Sequence, residues 1–122
     1  MARILIVEDE PDIRFLMRQI FEGAGHRVTE ARHGATGLTS VKATPPDLVI
    51  TDVMMPTMDG LEFIERLRSN PETAAIPILV VSGNSELAAA ANTRLRKPFL
   101  ARELLSAAAL LYPRGWRLTR GG

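Results

Sequence analysis

Three runs of the chain are apolar without alternation: Arg3 to Val7 (RILIV), Leu48 to Ile50, and Ile76 to Val81 (IPILVV). Short unbroken runs rich in β-branched residues suit strands covered on both faces, as in a parallel sheet. Between them the apolar period lengthens. Ile13, Leu16, Met17, Ile20 and Ala24 recur at three- and four-residue spacing, with Pro11 acceptable in a first turn and Gly23 and Gly25 available for the exit, which predicts a helix over 11–23. Arg27 to Ala31 reads as a short second strand and Ala35 to Ala43 as a second helix, stopped by Pro45 and Pro46. Leu61, Phe63, Ile64 and Leu67 mark the apolar side of a third helix, and Ala101 to Leu111 (ARELLSAAALL) forms a last one after Pro98. Strand and helix alternate, so the pattern predicts an α/β fold, a doubly wound parallel sheet with right-handed crossovers.

Composition narrows the classes without naming one. At 122 residues, with 46% hydrophobic and 24% charged content, the chain is one domain of ordinary size. A formal charge of +1 gives no electrostatic reason to expect direct DNA binding or an anionic membrane. The absence of cysteine excludes disulfides and thiolate metal sites and agrees with a reducing compartment. The opening MARILIVEDE is too short an apolar run for a signal peptide, and no run approaches bilayer length, so a cytoplasmic protein is expected.

Chemistry gathers where the strands end. Glu8 and Asp9 follow the first strand, Asp52 the third, Ser82 the fourth and Lys97 the probable fifth, at Thr93 to Arg96. In a doubly wound sheet, ligands bind beyond the carboxyl ends of the strands. Within VITDVMMPTMDG alone, Asp52 serves equally well as an ordinary turn residue. Three converging carboxylates, however, repel one another unless some protonate or a cation joins them. A hard divalent ion with oxygen ligands answers that need, and Mg²⁺ keeps waters that a phosphate can replace. A hydroxyl at Ser82 and an ammonium at Lys97 suit phosphoryl oxygens, so the set reads as phosphoryl transfer.

VEDEP after the first strand, DVMMPTMDG around Asp52, VSG at Val81 to Gly83, and KPF at Lys97 to Phe99, in this order, resemble the receiver domain of bacterial two-component response regulators. The resemblance covers about residues 3 to 111, giving a receiver domain over 1–111 and a tail over 112–122. It implies a flavodoxin-like five-stranded sheet of order 2-1-3-4-5, and Asp52 as phosphoacceptor for a histidine kinase or phosphotransfer protein. It implies Mg²⁺ held by Glu8, Asp9, Asp52 and the backbone carbonyl of Met54, with Ser82 and Lys97 on the phosphoryl oxygens and Pro98, often through a cis bond, orienting the lysine. Met54 and Asn84 would flank the phosphoryl group and set its lifetime. Such a protein catalyses only its own phosphorylation and dephosphorylation, then switches conformation toward an output partner that the sequence does not name.

Two departures stand out. The span between Ser82 and Lys97 is shorter than the family's by about two helical turns, so the fourth helix is expected to be curtailed, over Glu86 to Ala91 with Ser85 as cap. Three residues before the lysine, where the family usually has an aromatic switch residue, stands Arg94. A guanidinium does not bury as a ring does. Output is therefore expected through another face, such as the first helix, from a monomer or weak dimer.

The remaining residues carry plainer expectations. His26 and His33 read as surface residues, and Met54, Met55 and Met58 as packing. The tail YPRGWRLTRGG reads as a solvated end, too short for a DNA-reading domain. Two other functions compete with the phosphoacceptor: an interaction module that signals without phosphorylation, and a metal-dependent phosphatase. The complete acidic set argues against the first, and Met54, where that phosphatase class carries a second acid, against the other.

Overall fold

The computed structural model describes residues 2–53, 60–83 and 91–112. Its elements are β1 (Arg3–Val7), α1 (Pro11–Gly23), β2 (Arg27–Ala31), α2 (Gly34–Ala43), β3 (Leu48–Thr51), α3 (Gly60–Ser69), β4 (Ile78–Ser82), β5 (Thr93–Arg96) and α4 (Ala101–Ala109). The strands form one parallel sheet in the order β2-β1-β3-β4-β5. The curtailed helix expected at Glu86 to Ala91 falls, apart from Ala91, outside the described residues, as do Met54, Met55, Met58 and Asn84. No helix among the described residues is long and apolar enough to cross a membrane.

Both faces of the central strands are covered, which is why β1, β3 and β4 read as continuous apolar runs. Leu5, Val7, Val49, Ile78 and Val80 point into a core with Phe63, Ile64 and Leu67 of α3 and Val41 of α2. Their neighbours Ile4, Ile6, Leu48, Ile50, Leu79 and Val81 point the other way, onto Met17 and Phe21 of α1 and Leu104 and Ala108 of α4. Successive side chains alternate between faces, so one short run fills two cores.

Helix ends place the neighbouring strands. α1 begins with Pro11 in its first turn and closes in a Schellman turn: Gly25 has φ +93°, its N–H reaches the carbonyl of Glu22 at 3.0 Å, and the His26 N–H reaches that of Phe21 at 3.0 Å. The second buried side chain of α1, after Met17, is Phe21, whereas Leu16, counted above on the apolar side, is 44% exposed. β4 starts two residues later than the apolar run suggests. The Ile76 N–H turns back to the Thr73 carbonyl, and Pro77 has no N–H to give a sheet, so pairing begins at Ile78.

The expectation that His26 lies at the surface is wrong. It is 5% exposed, and its Nδ1 accepts the Ala2 N–H at 3.1 Å while Nε2 lies 2.8 Å from the Tyr112 hydroxyl. Nδ1 must be unprotonated to accept, so in the neutral ring Nε2–H donates to Tyr112. Tyr112, assigned above to the tail, thereby packs against the core on the α1 and α4 side. His33 is half-buried and caps α2, accepting the Thr36 N–H.

Candidate functional site

The carboxyl ends of the strands are built by a single repeated device. Three of the four parallel pairings run one hydrogen bond past the strand, and that bond holds the next residue. The Glu8 N–H donates to Ala31 of β2 at 3.0 Å, the Asp52 N–H to Val7 of β1 at 3.1 Å, and the Lys97 N–H to Ser82 of β4 at 3.1 Å. The sheet order thus brings together side chains that lie 45 and 89 residues apart in sequence.

Lys97 Nζ lies 2.9 Å from Glu8 Oε1 and 3.1 Å from Asp52 Oδ2. Glu8 is fully buried, Asp52 is 7% exposed and Ser82 1%. Glu8 Oε2 also accepts the Glu10 N–H at 3.2 Å. Burial pushes the Glu8 carboxyl above the usual carboxylate range, partly offset by the Lys97 ammonium. Lys97 goes up as well: burial opposes its charge, but Glu8 first and then Asp52 outweigh that penalty. The Lys97–Pro98 peptide bond that follows is cis.

Glu8, Asp9 and Asp52 each offer a carboxylate oxygen within 4.8 Å of the others. That donor set is all oxygen and anionic, which fits a hard divalent cation such as Mg²⁺ and not a soft one. Sequence reasoning therefore assembled five residues that the fold does bring to one edge: Glu8, Asp9, Asp52, Ser82 and Lys97. The backbone carbonyl of Met54 lies outside the described residues. Arg94 is exposed, as a guanidinium at that position requires.

One positional requirement went unread. Gly60, the first residue of α3, is buried against the backbone of Asp52, and a Cβ there would lie 1.9 Å from the Asp52 carbonyl oxygen and 2.5 Å from Val53 Cα. The Thr51 hydroxyl donates to that same carbonyl at 2.8 Å. The DG pair that opens α3 was visible in the sequence, but not the backbone it lies against.

Comparison with known proteins agrees with this geometry. The family described as the response regulator receiver domain matches residues 4–109. The chain is 42% identical over 106 residues to the KDP operon transcriptional regulatory protein KdpE of Escherichia coli (strain K12), covering 81% of this chain and 46% of KdpE. It is 37% identical over 82 residues to the protein PilH of Pseudomonas aeruginosa, covering 67% of this chain and 68% of PilH. Among solved structures, the response regulator TrrA of Thermotoga maritima, in complex with Mg²⁺–BeF, superposes with a TM-score of 0.83 at 30% identity, over 91% of this chain and 99% of that one. The fold and the family match define a receiver of two-component signalling. The chain belongs to the response regulator receiver domain family, and it spans about half the length of KdpE.

Proposed function

We propose that this receiver accepts a phosphoryl group on Asp52 from a histidine kinase or phosphotransfer protein, with Mg²⁺ at Glu8, Asp9 and Asp52, and passes the signal to a protein partner. The observation that carries this reading is the Lys97 ammonium within hydrogen-bond reach of both Glu8 and Asp52 at the edge where three carboxylates converge. A buried acid held beside a cation and two further acids is costly to keep for packing alone. TrrA, solved with Mg²⁺–BeF, adds support from a structural relative.

In the proposed reaction an Asp52 carboxylate oxygen forms a bond to phosphorus as the nitrogen–phosphorus bond of a phosphohistidine donor breaks, and the imidazole leaves with the electron pair. Magnesium, when bound, supplies positive charge to the phosphoryl oxygens. Lys97 sits where it can transfer one hydrogen bond from the Asp52 carboxylate to a phosphoryl oxygen, and Ser82 ends the neighbouring strand as a further donor. Water later cleaves the acyl phosphate, so the chain acts only on itself.

The test is intact mass after incubation with Mg²⁺ and acetyl phosphate, beside an Asp52→Ala control. A gain of one phosphoryl group, lost without Mg²⁺ and lost in the control, is the expected result. No gain from folded protein, sampled at times short enough to catch a labile adduct, rejects the proposal.

A further inference from the structure

Arg14, on the first turns of α1, takes no part in the chemistry above, yet it reaches the residue that begins the acidic turn. Its Nη1 donates to the backbone carbonyl of Glu8 at 2.7 Å, and its Nε donates to Glu30 Oε1 on β2 at 2.8 Å. The side chain is only 16% exposed. Arg18, one turn on, donates to the other oxygen of Glu30 and also to Glu22, without touching Glu8. Hydrogen bonds from Arg18 and, against the cost of its burial, from Arg14 hold the Glu30 carboxyl below the usual carboxylate range, so this anchor stays charged. Glu8 is thus held at its N–H by Ala31, at its carbonyl by Arg14, and at its carboxylate by Lys97 and the Glu10 N–H.

The planar fork of a guanidinium makes such a bridge rigid, because two of its donors are fixed relative to each other. We infer that Arg14 is a positioning residue for the divalent cation: by tying the Glu8 peptide to Glu30 it fixes the turn that aims the Glu8 and Asp9 carboxylates at Asp52. The inference rests on the magnesium-dependent reading of this edge. Groups that orient metal-binding side chains typically change metal affinity by about 10- to 100-fold when removed.

Electrostatics and positioning predict opposite signs, which makes the inference testable. Removing a positive charge near three carboxylates strengthens cation binding, whereas releasing the turn weakens it. Magnesium chloride is titrated calorimetrically into the full chain and into Arg14→Ala, Arg14→Lys, Arg18→Ala and Asp9→Asn, with thermal midpoints taken without Mg²⁺. Expected are an affinity about tenfold weaker for Arg14→Ala, a clear weakening for Arg14→Lys, in which charge is unchanged and only the fork is lost, and unchanged or slightly tighter binding for Arg18→Ala. In acetyl phosphate reactions, the two Arg14 variants should need more Mg²⁺ for half-maximal rate but reach the wild-type rate, within about twofold, at saturation. Equal or tighter binding by both Arg14 variants overturns the inference, and so does equal weakening in Arg18→Ala, which would make the ion pairs general support for the fold. If Arg14→Ala does not fold, Arg14→Lys decides alone. A wild-type chain that binds no Mg²⁺, or that Asp9→Asn leaves unaltered, instead removes the metal reading itself and this role with it.

Discussion

The two ends of the sheet both bury polar groups, but they do so on opposite terms. At the carboxyl end, Glu8 and Asp52 are buried beside Asp9 and, among the described residues, meet the Lys97 ammonium. At the amino end, His26 is buried neutral, with Nδ1 taken by the Ala2 N–H and Nε2 by the Tyr112 hydroxyl. At His26 each ring nitrogen is matched, one to a donor and the other to an acceptor, as in a structural site. Among the described residues the carboxyl end sets three carboxylates against the Lys97 ammonium, an arrangement that suits the proposed cation and phosphoryl group better than stability. Burial alone therefore does not distinguish a working site from a structural one; the balance of charge does.

The sharpest way to break this contrast is at Lys97. Replacing it with Met leaves two buried acids without their ammonium, and breaking a buried ion pair from one side costs about 3 kcal/mol or more. Lys97→Met should show that loss in denaturant unfolding at pH 7, and adding Glu8→Gln should recover a substantial part of it. A loss below about 1 kcal/mol would mean the acids are not held by Lys97 in solution.

At the amino end, His26→Leu removes the acceptor of the buried Ala2 amide and one partner of the Tyr112 hydroxyl, and about 2 kcal/mol should be lost. The proposed phosphorylation of Asp52 should continue unchanged, since Ala2 and Tyr112, which His26 bonds, lie at the opposite end of the sheet. The same pair has a pH signature. Burial holds His26 below its ordinary 6.5, so the unfolded chain takes up the proton first. The stability His26 contributes is present above pH 6.5 and is lost as pH falls through its folded value, at no more than about 1.4 kcal/mol per pH unit. Subtracting the melting profile of His26→Gln, which can keep both hydrogen bonds, from that of the wild type between pH 7.5 and 5 isolates this term. A flat difference would show that the histidine is already protonated or solvated.

The smallest effect belongs to Tyr112→Phe, which removes one hydrogen bond and should cost about 1 kcal/mol. Burial pushes the Tyr112 hydroxyl up to about 12. Its folded value lies above the ordinary 10, so its contribution is present below pH 10 and disappears as pH climbs toward 12. Wild type and variant should therefore converge in alkaline melts, and a constant gap would place the ionisation elsewhere.

What the sequence revealed follows this same division. The carboxyl end was legible because its residues lie at or just past the ends of strands: RILIV leads to Glu8 and Asp9, LVIT leads to Asp52, and ILVVS ends in Ser82. Once the strand order is known, adjacency at the sheet edge follows from topology. The amino end was not legible, because His26 owes its burial to Tyr112, 86 residues away, and to the Ala2 amide, and no local pattern announces either. The β4 boundary failed for a different reason: Ile76 is as apolar as a strand residue, and only the missing N–H of Pro77 separates it from the sheet. Arg14 was hidden among the ordinary polar residues of α1, where a charge one turn from another usually means nothing more than a solvated face.

Gly60 gives the fold a bearing surface. Because α3 starts in van der Waals contact with the Asp52 peptide, any shift of that peptide must be passed to the helix or blocked by it. In a survey of every possible substitution, position 60 would therefore score like a reactive residue while touching no phosphate, metal or proton. A map of mutational intolerance drawn for this chain would mark this glycine as brightly as the proposed phosphoacceptor.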